Sequence, residues 1–319
     1  MNSRQAVWQL LAWGIFLAVA SGAAVAATWT EREVGTQGLH GTLTWPDGAP
    51  TAPAVLIMAG SGPVDRDGNL PGAANNGLKL LAHGLAEQGI ASLRIDKRGV
   101  GASRSAGPRE EDLRFERYVD DAVAWLALLR ADERVSRIML VGHSEGALVA
   151  TLTAQRADVA GLILLAGAGF PAAQLIERQL AAAGMPEPLR QASQRVTDSL
   201  VQGTPVTDVP VALGALYRPS VQRYLMSWFA LDPAKELAKA VGPVLIVQGT
   251  TDLQVDVTDA RRLAAARDGL SLVLVEGMNH ILKTAPADRG ANLRTYAQPE
   301  LPLAPALLPA VVAFVRHSG

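Results

Sequence analysis

The sequence contains no cysteine, and this absence excludes several kinds of chemistry. A chain without thiols has no disulfides, no thiolate nucleophile, no cysteine-based metal site and no lipid-modified cysteine to anchor it. Histidine is also scarce, with five in 319 residues, which argues against a histidine-rich metal cluster. We therefore expect no metal site in this protein.

An excess of charge of either sign is also missing. The chain carries 29 lysines and arginines against 30 acidic residues, a net charge of -1, and the two signs are interspersed. Without a basic face it is not expected to bind nucleic acid or anionic lipid. No Gly-Lys-Ser/Thr motif or dinucleotide fingerprint opens a helix, so no cofactor is expected. The expected partner is a small, weakly charged molecule, and the composition does not indicate an oligomeric state.

The first 26 residues have the pattern of a secretory signal peptide. Arg4 provides a positive start, residues 6–20 are almost wholly apolar, and Ala24-Val25-Ala26 forms a small-x-small cleavage pattern. We expect export to the periplasm or secretion. The alternative is an uncleaved anchor, since residues 6–27 are long enough to cross a bilayer, and beyond this leader no membrane contact is expected.

The rest of the chain alternates between apolar runs of strand length and stretches with helical spacing, which predicts an α/β fold. A hairpin is expected over residues 29–45, where glycines and Trp45-Pro46-Asp47-Gly48 mark turns. Continuous apolar runs then predict strands buried on both faces, as in a mostly parallel sheet with helices on each side. These predicted strands are residues 53–59, 90–95, 138–141, 159–166, 244–248 and 270–275.

Gly142-His143-Ser144-Glu145-Gly146 lies between a predicted strand and a segment rich in Ala and Leu. A Gly-x-Ser-x-Gly motif in this context predicts a nucleophile elbow, a tight turn that points the serine hydroxyl out of the sheet. The two glycines allow the strand and the helix to approach closely. Ser144 is therefore the predicted nucleophile.

A second glycine-rich loop, Gly60-Ser61-Gly62-Pro63, follows the first buried strand. Such a loop can bring backbone N–H groups close to a ligand, as an oxyanion hole requires, although a plain turn at a strand end gives the same pattern. Paired with the elbow, the loop is interpreted as part of the site.

Two further residues follow later strands. Asp252 comes just past residues 244–248, and His280 lies in the loop after residues 270–275. In an open α/β sheet these positions reach the carboxyl edge of the strands, where ligands bind, and the order Ser, Asp, His is that of a nucleophile-elbow triad. Asp256 and Asp259 compete with Asp252, but helix capping explains both of them.

Residues 170–241 are predicted to form a helical cap, inserted into a core made of residues 27–169 and 242–319. Prolines break this segment into short helices between two sheet strands. Its aromatic residues Tyr224, Trp228 and Phe229 are candidates to line an apolar substrate pocket, although they also fit the cap's own core.

Two other loops carry chemistry-bearing residues. Residues 65–69 start like a calcium loop, but Asn76 stands where a bidentate glutamate is required, so we interpret them as a turn held by Asp and Arg pairing. The stretch 96–103 is interpreted as a rigid loop in which Asp96 and Arg98 satisfy the backbone and each other.

Together these motifs resemble the α/β-hydrolase superfamily, and most closely bacterial esterases of the serine aminopeptidase-like branch. The resemblance implies an α/β-hydrolase fold and a serine carboxylesterase acting on small to medium esters, with Ser144, Asp252 and His280 as the triad. It also implies that the N–H groups of Ser61 and Glu145 form the oxyanion hole. Many relatives carry His-Gly where this chain has Ala59-Gly60. An amide or peptide hydrolase, a thioesterase and a non-catalytic binding module remain alternatives.

Overall fold

The computed structural model describes residues 28–318, which form one eight-stranded sheet with helices on both faces. The predicted signal peptide, residues 1–26, lies outside the described residues. The strands are β1 (Trp29–Thr36), β2 (Leu39–Pro46), β3 (Ala52–Met58), β4 (Ala91–Ile95), β5 (Val135–His143), β6 (Gly161–Leu165), β7 (Val244–Gly249) and β8 (Ser271–Val275).

The strands lie side by side in the order β1-β2-β4-β3-β5-β6-β7-β8. β2 pairs antiparallel with both of its neighbours, β1 and β4, and every later neighbouring pair is parallel. The predicted N-terminal hairpin and the mostly parallel sheet are therefore confirmed. Parallel neighbours need long crossover connections, and helices supply them here.

The helices are α1 (Gly77–Glu87), α2 (Phe115–Arg130), α3 (Glu145–Ala154), α4 (Ala172–Ala182), α5 (Glu187–Val201), α6 (Gly214–Tyr217), α7 (Gln222–Phe229), α8 (Pro233–Lys239), α9 (Val257–Ala264), α10 (Arg289–Arg294) and α11 (Leu307–His317). Helices α1 and α11 cover one face of the sheet. Helices α2, α3 and α9 cover the other.

Successive side chains of the central strands enter two different cores, because a strand alternates its side chains between the two faces of the sheet. Leu56 and Leu140 join the core that contains Trp125 of α2. Val55 and Met139, one position earlier on the same strands, join the core formed with α1 and α11. All five side chains are buried, which explains why these strands read as continuous apolar runs.

Helices α4 to α8 lie between β6 and β7, within the segment predicted as the cap, residues 170–241. We keep the name cap for this segment. The cap packs on α2 through aromatic rings: the Phe115 ring centroid lies 6.3 Å from that of Tyr224 and 6.1 Å from that of Trp228. The Phe115 backbone N–H also donates to Ser227 Oγ at 2.9 Å.

A polar network holds the first residues of the cap against α9. The carboxylate of Asp259 is fully buried and accepts hydrogen bonds from the Gly169 N–H at 2.8 Å and from the Arg178 guanidinium at 2.9 Å. Phe170 lies between two guanidinium groups, 4.6 Å from that of Arg178 and 4.8 Å from that of Arg262. Asp259 lies in the first turn of α9, as predicted, but its carboxylate anchors the cap instead of capping that helix.

The loops at the carboxyl edge of the parallel strands carry the predicted site residues. The loop after β3 contains Gly60 and Ser61, β5 runs directly into Ser144, and the loops after β7 and β8 contain Asp252 and His280. The topology therefore gathers residues from distant parts of the sequence at one edge of the sheet.

Within residues 28–318, no helix has the length and apolar character that a membrane span requires. The same residues contain no cluster of three or more His, Asp or Glu side chains placed to hold a metal ion.

Candidate active site

Ser144 occupies a strained turn between β5 and α3. Its backbone has φ 55° and ψ -119°, a conformation that residues with a β-carbon rarely adopt. The flanking glycines make the turn possible: a β-carbon at Gly142 would lie 2.2 Å from the Gly146 carbonyl oxygen, and one at Gly146 would lie 2.3 Å from the Met58 carbonyl oxygen. The turn therefore has the strained backbone and the close approach of strand and helix that the Gly-x-Ser-x-Gly motif predicted.

Asp252 and His280 are in direct contact. His280 Nδ1 lies 2.8 Å from Asp252 Oδ2, and both side chains are almost completely buried. Asp252 Oδ1 accepts the backbone N–H groups of Gln254 and Val255 at 2.8 and 3.0 Å. Gln248 Nε2 donates to Asp252 Oδ2 at 3.2 Å. A carboxylate oxygen that accepts from Nδ1 places the imidazole proton on Nδ1, which leaves Nε2 as the acceptor.

A second histidine, His143, supports the first. Its Nε2 lies 2.7 Å from the His280 carbonyl oxygen, and the two ring centroids are 4.8 Å apart. Burial, with a smaller contribution from nearby His280, lowers the pKa of His143 to about 3, so the ring is neutral. Because a carbonyl oxygen only accepts, the single proton of His143 lies on Nε2. Residue 143 therefore holds the backbone of the His280 loop beside Ser144.

The loop of Gly60 and Ser61 lies against the elbow on the opposite side of Ser144 from the β7 loop. A β-carbon at Gly60 would lie 3.0 Å from Ser144 Cβ and 3.5 Å from Ser144 Oγ. Beneath this loop, Lys97 Nζ donates to the Gly60 carbonyl oxygen and lies 3.7 Å from Glu145 Oε1. The other carboxylate oxygen of Glu145 accepts the Tyr224 hydroxyl at 2.5 Å. The two residues predicted to supply oxyanion donors, Ser61 and Glu145, thus both line the cavity together with Ser144.

A cavity of about 370 Å³ opens above Ser144, between the core and the cap. Ser61, Ser144 and Glu145 form its floor. Most of the wall is apolar, and it is formed by Pro63, Leu148, Phe170, Leu175, Ile176, Leu216, Val221, Tyr224, Leu225, Trp228 and Pro233, with Gln179, Arg218 and Gln254 as polar members.

Two of the three predicted pocket residues line this cavity, and one does not. Tyr224 and Trp228 are four residues apart on α7 and share the face that lines it. Phe229 follows one residue later, rotated by about 100° around the helix. Its side chain is 5% exposed and packs in the apolar core instead. The prediction that Phe229 lines the pocket was wrong: Leu225, one turn earlier on the same face of α7, lines the cavity, but Phe229 lies beyond it in the apolar core.

Comparisons with known proteins agree with this arrangement. Residues 75–284, more than half of the chain, match the family model described as serine aminopeptidase, S33. The chain belongs to this family. Esterase EstD of Thermotoga maritima is 26% identical over 261 residues, which cover 80% of this chain and 60% of that protein. The match to this chain thus spans about 60% of the length of that relative.

Solved structures share the fold of this S33-family chain. Est1E of Butyrivibrio proteoclasticus, determined with ferulic acid bound, superposes with a TM-score of 0.56 at 20% identity, over 88% of this chain and 99% of that one. Esterase Pf2001 of Pyrococcus furiosus gives a TM-score of 0.55 at 15% identity, over 91% of each chain. These likenesses show an α/β-hydrolase fold.

Sequence reasoning missed three residues that support the site of this S33-family member. Gln248 is polar at the end of an apolar strand, and that contrast was a usable signal. His143 occupies the first variable position of the Gly-x-Ser-x-Gly motif, where the turn accepts many residue types, so the motif did not indicate its role. Lys97 lies in the stretch 96–103, but its contacts with Gly60 and Glu145 were not predictable, because they join positions 37 and 48 residues apart in the sequence.

The interpretation of residues 96–103 is confirmed in part: Asp96 and Arg98 both bond to the backbone, Arg98 through the Ala106 carbonyl oxygen, but they do not bond to each other. Asp96 pairs with Arg66 and accepts the Ala102 N–H at 2.8 Å, whereas Arg98 pairs with Asp121 of α2. Asp96 and Arg98 therefore do not satisfy each other, because each finds its partner on a different element.

Proposed function

We propose that this chain is a serine carboxylesterase that hydrolyses small to medium carboxylic esters through an acyl-enzyme on Ser144. The observation that carries the proposal is the buried hydrogen bond between Asp252 and His280, placed at the same sheet edge as the strained Ser144 turn. An Asp–His pair that served only stability would not require a serine on a strained turn beside it. No cofactor is required by this proposal.

The proposed reaction has two steps. His280 Nε2 accepts the Ser144 proton while Ser144 Oγ attacks the ester carbonyl carbon, and Asp252 stabilises the imidazolium that forms. The carbonyl oxygen takes up the negative charge and receives hydrogen bonds from the N–H groups of Ser61 and Glu145. The imidazolium then gives its proton to the departing alcohol. Water, deprotonated by His280, attacks the acyl carbonyl carbon, the bond from that carbon to Ser144 Oγ breaks, and the imidazolium returns its proton to Ser144 as the carboxylic acid leaves.

The cavity supports a small or medium substrate with apolar groups. Its volume of about 370 Å³ lies at the lower end of pockets for small ligands. The apolar wall residues Leu175, Ile176 and Leu225 favour a hydrocarbon acyl or alcohol group. The esterase name of the relative from Thermotoga maritima agrees with this substrate class.

The cavity gives less support to an aminopeptidase, the alternative that the family name suggests. An aminopeptidase needs a free carboxylate to bind the substrate ammonium group. Among the residues that line the cavity, Glu145 is the one acid; one of its carboxylate oxygens accepts the Tyr224 hydroxyl, and the other lies 3.7 Å from the Lys97 ammonium group. Glu177 and Glu187 of the cap are exposed and lie outside the cavity lining. An ester therefore fits this site better than a peptide N-terminus.

Initial rates on two substrate series test the proposal. We expect hydrolysis of p-nitrophenyl esters with an optimum between acetate and octanoate, and little hydrolysis of palmitate or of alanine p-nitroanilide. Ser144→Ala should abolish the ester activity, whereas Ser199→Ala, at a half-buried position of α5 outside the cavity lining, should keep it. A higher kcat/KM for the anilide, or full ester hydrolysis by Ser144→Ala, would contradict the proposal.

We further propose that residues 1–26 direct export to the periplasm or the medium, on the evidence of their sequence pattern. N-terminal sequencing of the protein from cell fractions tests this. A start near Ala27 in the periplasmic or secreted fraction is expected, and an intact Met1 on cytoplasmic protein would contradict it.

A further inference from the structure

A buried lysine supports the loop on the oxyanion side of the site. Lys97 follows β4, is 9% exposed, and extends beneath the loop that contains Gly60 and Ser61. Its ammonium group has three contacts: the Gly60 carbonyl oxygen, Glu145 Oε1 at 3.7 Å, and the Tyr118 ring, with its centroid at 5.7 Å. Burial lowers the pKa of Lys97 and the Glu145 carboxylate opposes this shift. The amine donates a hydrogen bond in either protonation state.

The contact with Gly60 acts on a catalytic donor through one peptide group. The Gly60 carbonyl and the Ser61 N–H belong to the same peptide bond, which is planar. Residues 28–318 contain no cis peptide bond, so this carbonyl and N–H point in opposite directions. A donor that holds this carbonyl oxygen therefore directs the Ser61 N–H away from Lys97, and Ser61 lines the cavity.

We propose that Lys97 is a positioning residue for the oxyanion hole: by holding the Gly60 carbonyl it orients and polarises the Ser61 N–H. This inference rests on the proposed ester hydrolysis. A hydrogen bond to a carbonyl oxygen makes the N–H of the same peptide a stronger donor, because the two dipoles polarise each other. Orientation matters as well, since an oxyanion donor acts only when it is aimed at the developing charge.

The burial of an amine at this position supports a specific role. A methionine would fill a similar space without the free-energy cost of removing an ammonium group from water. The Lys97 contacts reach the peptide group that carries one proposed oxyanion donor, the Ser61 N–H, and the side chain of the residue that supplies the other, Glu145. Glu145 in turn accepts the hydroxyl of Tyr224, on cap helix α7. One chain of contacts therefore runs from the Ser61 loop to a residue that lines the substrate cavity.

The test compares Lys97→Met with the native protein in steady-state hydrolysis of p-nitrophenyl butyrate. Loss of one oxyanion donor costs about 100- to 1000-fold in kcat, so a donor that is present but poorly aimed should cost about 10- to 100-fold, with KM nearly unchanged. A trifluoromethyl ketone forms a tetrahedral adduct whose oxygen occupies the oxyanion hole. Its Ki should rise by the same factor as kcat/KM falls.

A second readout does not depend on activity. The backbone amide proton of Ser61, observed by NMR in the unliganded protein, should shift upfield in Lys97→Met because its peptide group loses polarisation. The amide of Gly35, in β1, serves as the internal reference, since β1 lies at the far edge of the sheet.

Two further variants separate positioning from stability. Lys97→Met combined with Glu145→Gln removes the carboxylate that the single variant would leave buried without its cation, and it should keep the loss in kcat while recovering thermal stability. Arg94→Met is the matched control. Arg94 is a buried cation of β4 that pairs with Glu31 and Asp67, so its loss should lower the melting temperature and leave kcat per active site within about twofold.

The outcomes separate the two proposals. If the native protein hydrolyses esters and Lys97→Met retains kcat, the Ki of the ketone and the Ser61 amide shift, the inference about Lys97 is wrong and the proposed function stands. If the native protein hydrolyses no ester, the proposed function fails, and an unchanged Ser61 amide shift in Lys97→Met would reject the inference as well.

Discussion

The two sides of Ser144 are held by different kinds of contact. On the side of His280, Asp252 is fixed by Gln248, Gln254 and Val255, all within four residues of it along the chain. On the oxyanion side, the contacts join distant parts of the sequence, including the Glu145 contact with Tyr224 of the cap. The difference indicates that the hydrogen bonds to Asp252 come from its own neighbourhood in the core, whereas the oxyanion side includes a direct side-chain contact with the cap.

The largest expected effect comes from removing the carboxylate that orients His280. Asp252→Asn should lower kcat by about 10⁴-fold, because the amide N–H favours the His280 tautomer that carries its proton on Nε2. Steady-state kinetics with p-nitrophenyl butyrate measures it. Asp256→Asn is the control in the same loop: Asp256 caps α9 by accepting the Thr258 N–H, and asparagine caps equally well, so kcat should stay within about twofold. Similar losses in both variants would remove Asp252 from its proposed role.

Two buried glutamines sharpen the comparison between core and cap. Gln248 donates to Asp252, whereas Gln222 of α7 donates to the carbonyl oxygens of Val206 and Tyr217 inside the cap. A hydrogen bond to a charged group contributes about 1.5–3 kcal/mol, so Gln248→Leu should lower kcat about tenfold.

Gln222→Leu should instead lower the melting temperature and leave kcat within about twofold, since its contacts do not reach the base. Kinetics and thermal unfolding of both variants, measured side by side, decide the matter. Equal kinetic losses would show that the contact of Gln248 with Asp252 matters no more for catalysis than the contacts of Gln222 inside the cap.

Tyr224→Phe tests the contact that joins cap and oxyanion side. Loss of the hydroxyl donor to Glu145 should lower kcat about threefold, which corresponds to part of a hydrogen bond of about 1 kcal/mol. Burial and the Glu145 carboxylate raise the pKa of Tyr224 well above its ordinary value.

The pH dependence of stability should change too. Unfolded tyrosine ionises near pH 10. A raised folded pKa therefore gives stability that is complete below about pH 10 and is lost as the pH rises toward the folded value. Urea unfolding between pH 8 and 11 should show a shallower alkaline loss in Tyr224→Phe than in the native protein. Parallel curves would place Tyr224 outside this network.

The smallest expected effect concerns the attachment of the cap. Asp232 pairs with Arg262 through two contacts of 2.7 Å, and the Arg262 hydrogen bonds are the main cause that lowers the pKa of Asp232. A lowered folded pKa gives stability that is present above the unfolded value of about 3.9 and is lost as the pH falls through the folded value.

Asp232→Asn should therefore cost about 0.5–1 kcal/mol of unfolding free energy at pH 7 and almost nothing near pH 2. Urea unfolding at the two pH values measures the difference. A cost that does not change with pH would show that the charge of Asp232 contributes nothing.

Residues set by local patterns were predictable, and residues set by tertiary contacts were not. The elbow at Ser144 and the strand-end positions of Asp252 and His280 follow from short motifs beside apolar runs. The contact of Lys97 with Gly60 depends on how two separate loops meet, which no periodicity encodes. Phe229 failed for a similar reason: its residue type suits a pocket, but only the packing of α7 decides which of its residues reach the cavity.

The most direct test of the account is the mass of the protein during turnover. Mixed with a slowly released ester such as p-nitrophenyl pivalate and quenched in acid, the native protein should gain the mass of one pivaloyl group, and peptide mapping should place it on Ser144. The same mixture with His280→Ala should give almost no adduct. Acylation at another residue, or turnover that continues without any acyl adduct after rapid quenching, would contradict the central claim that Ser144 is the nucleophile.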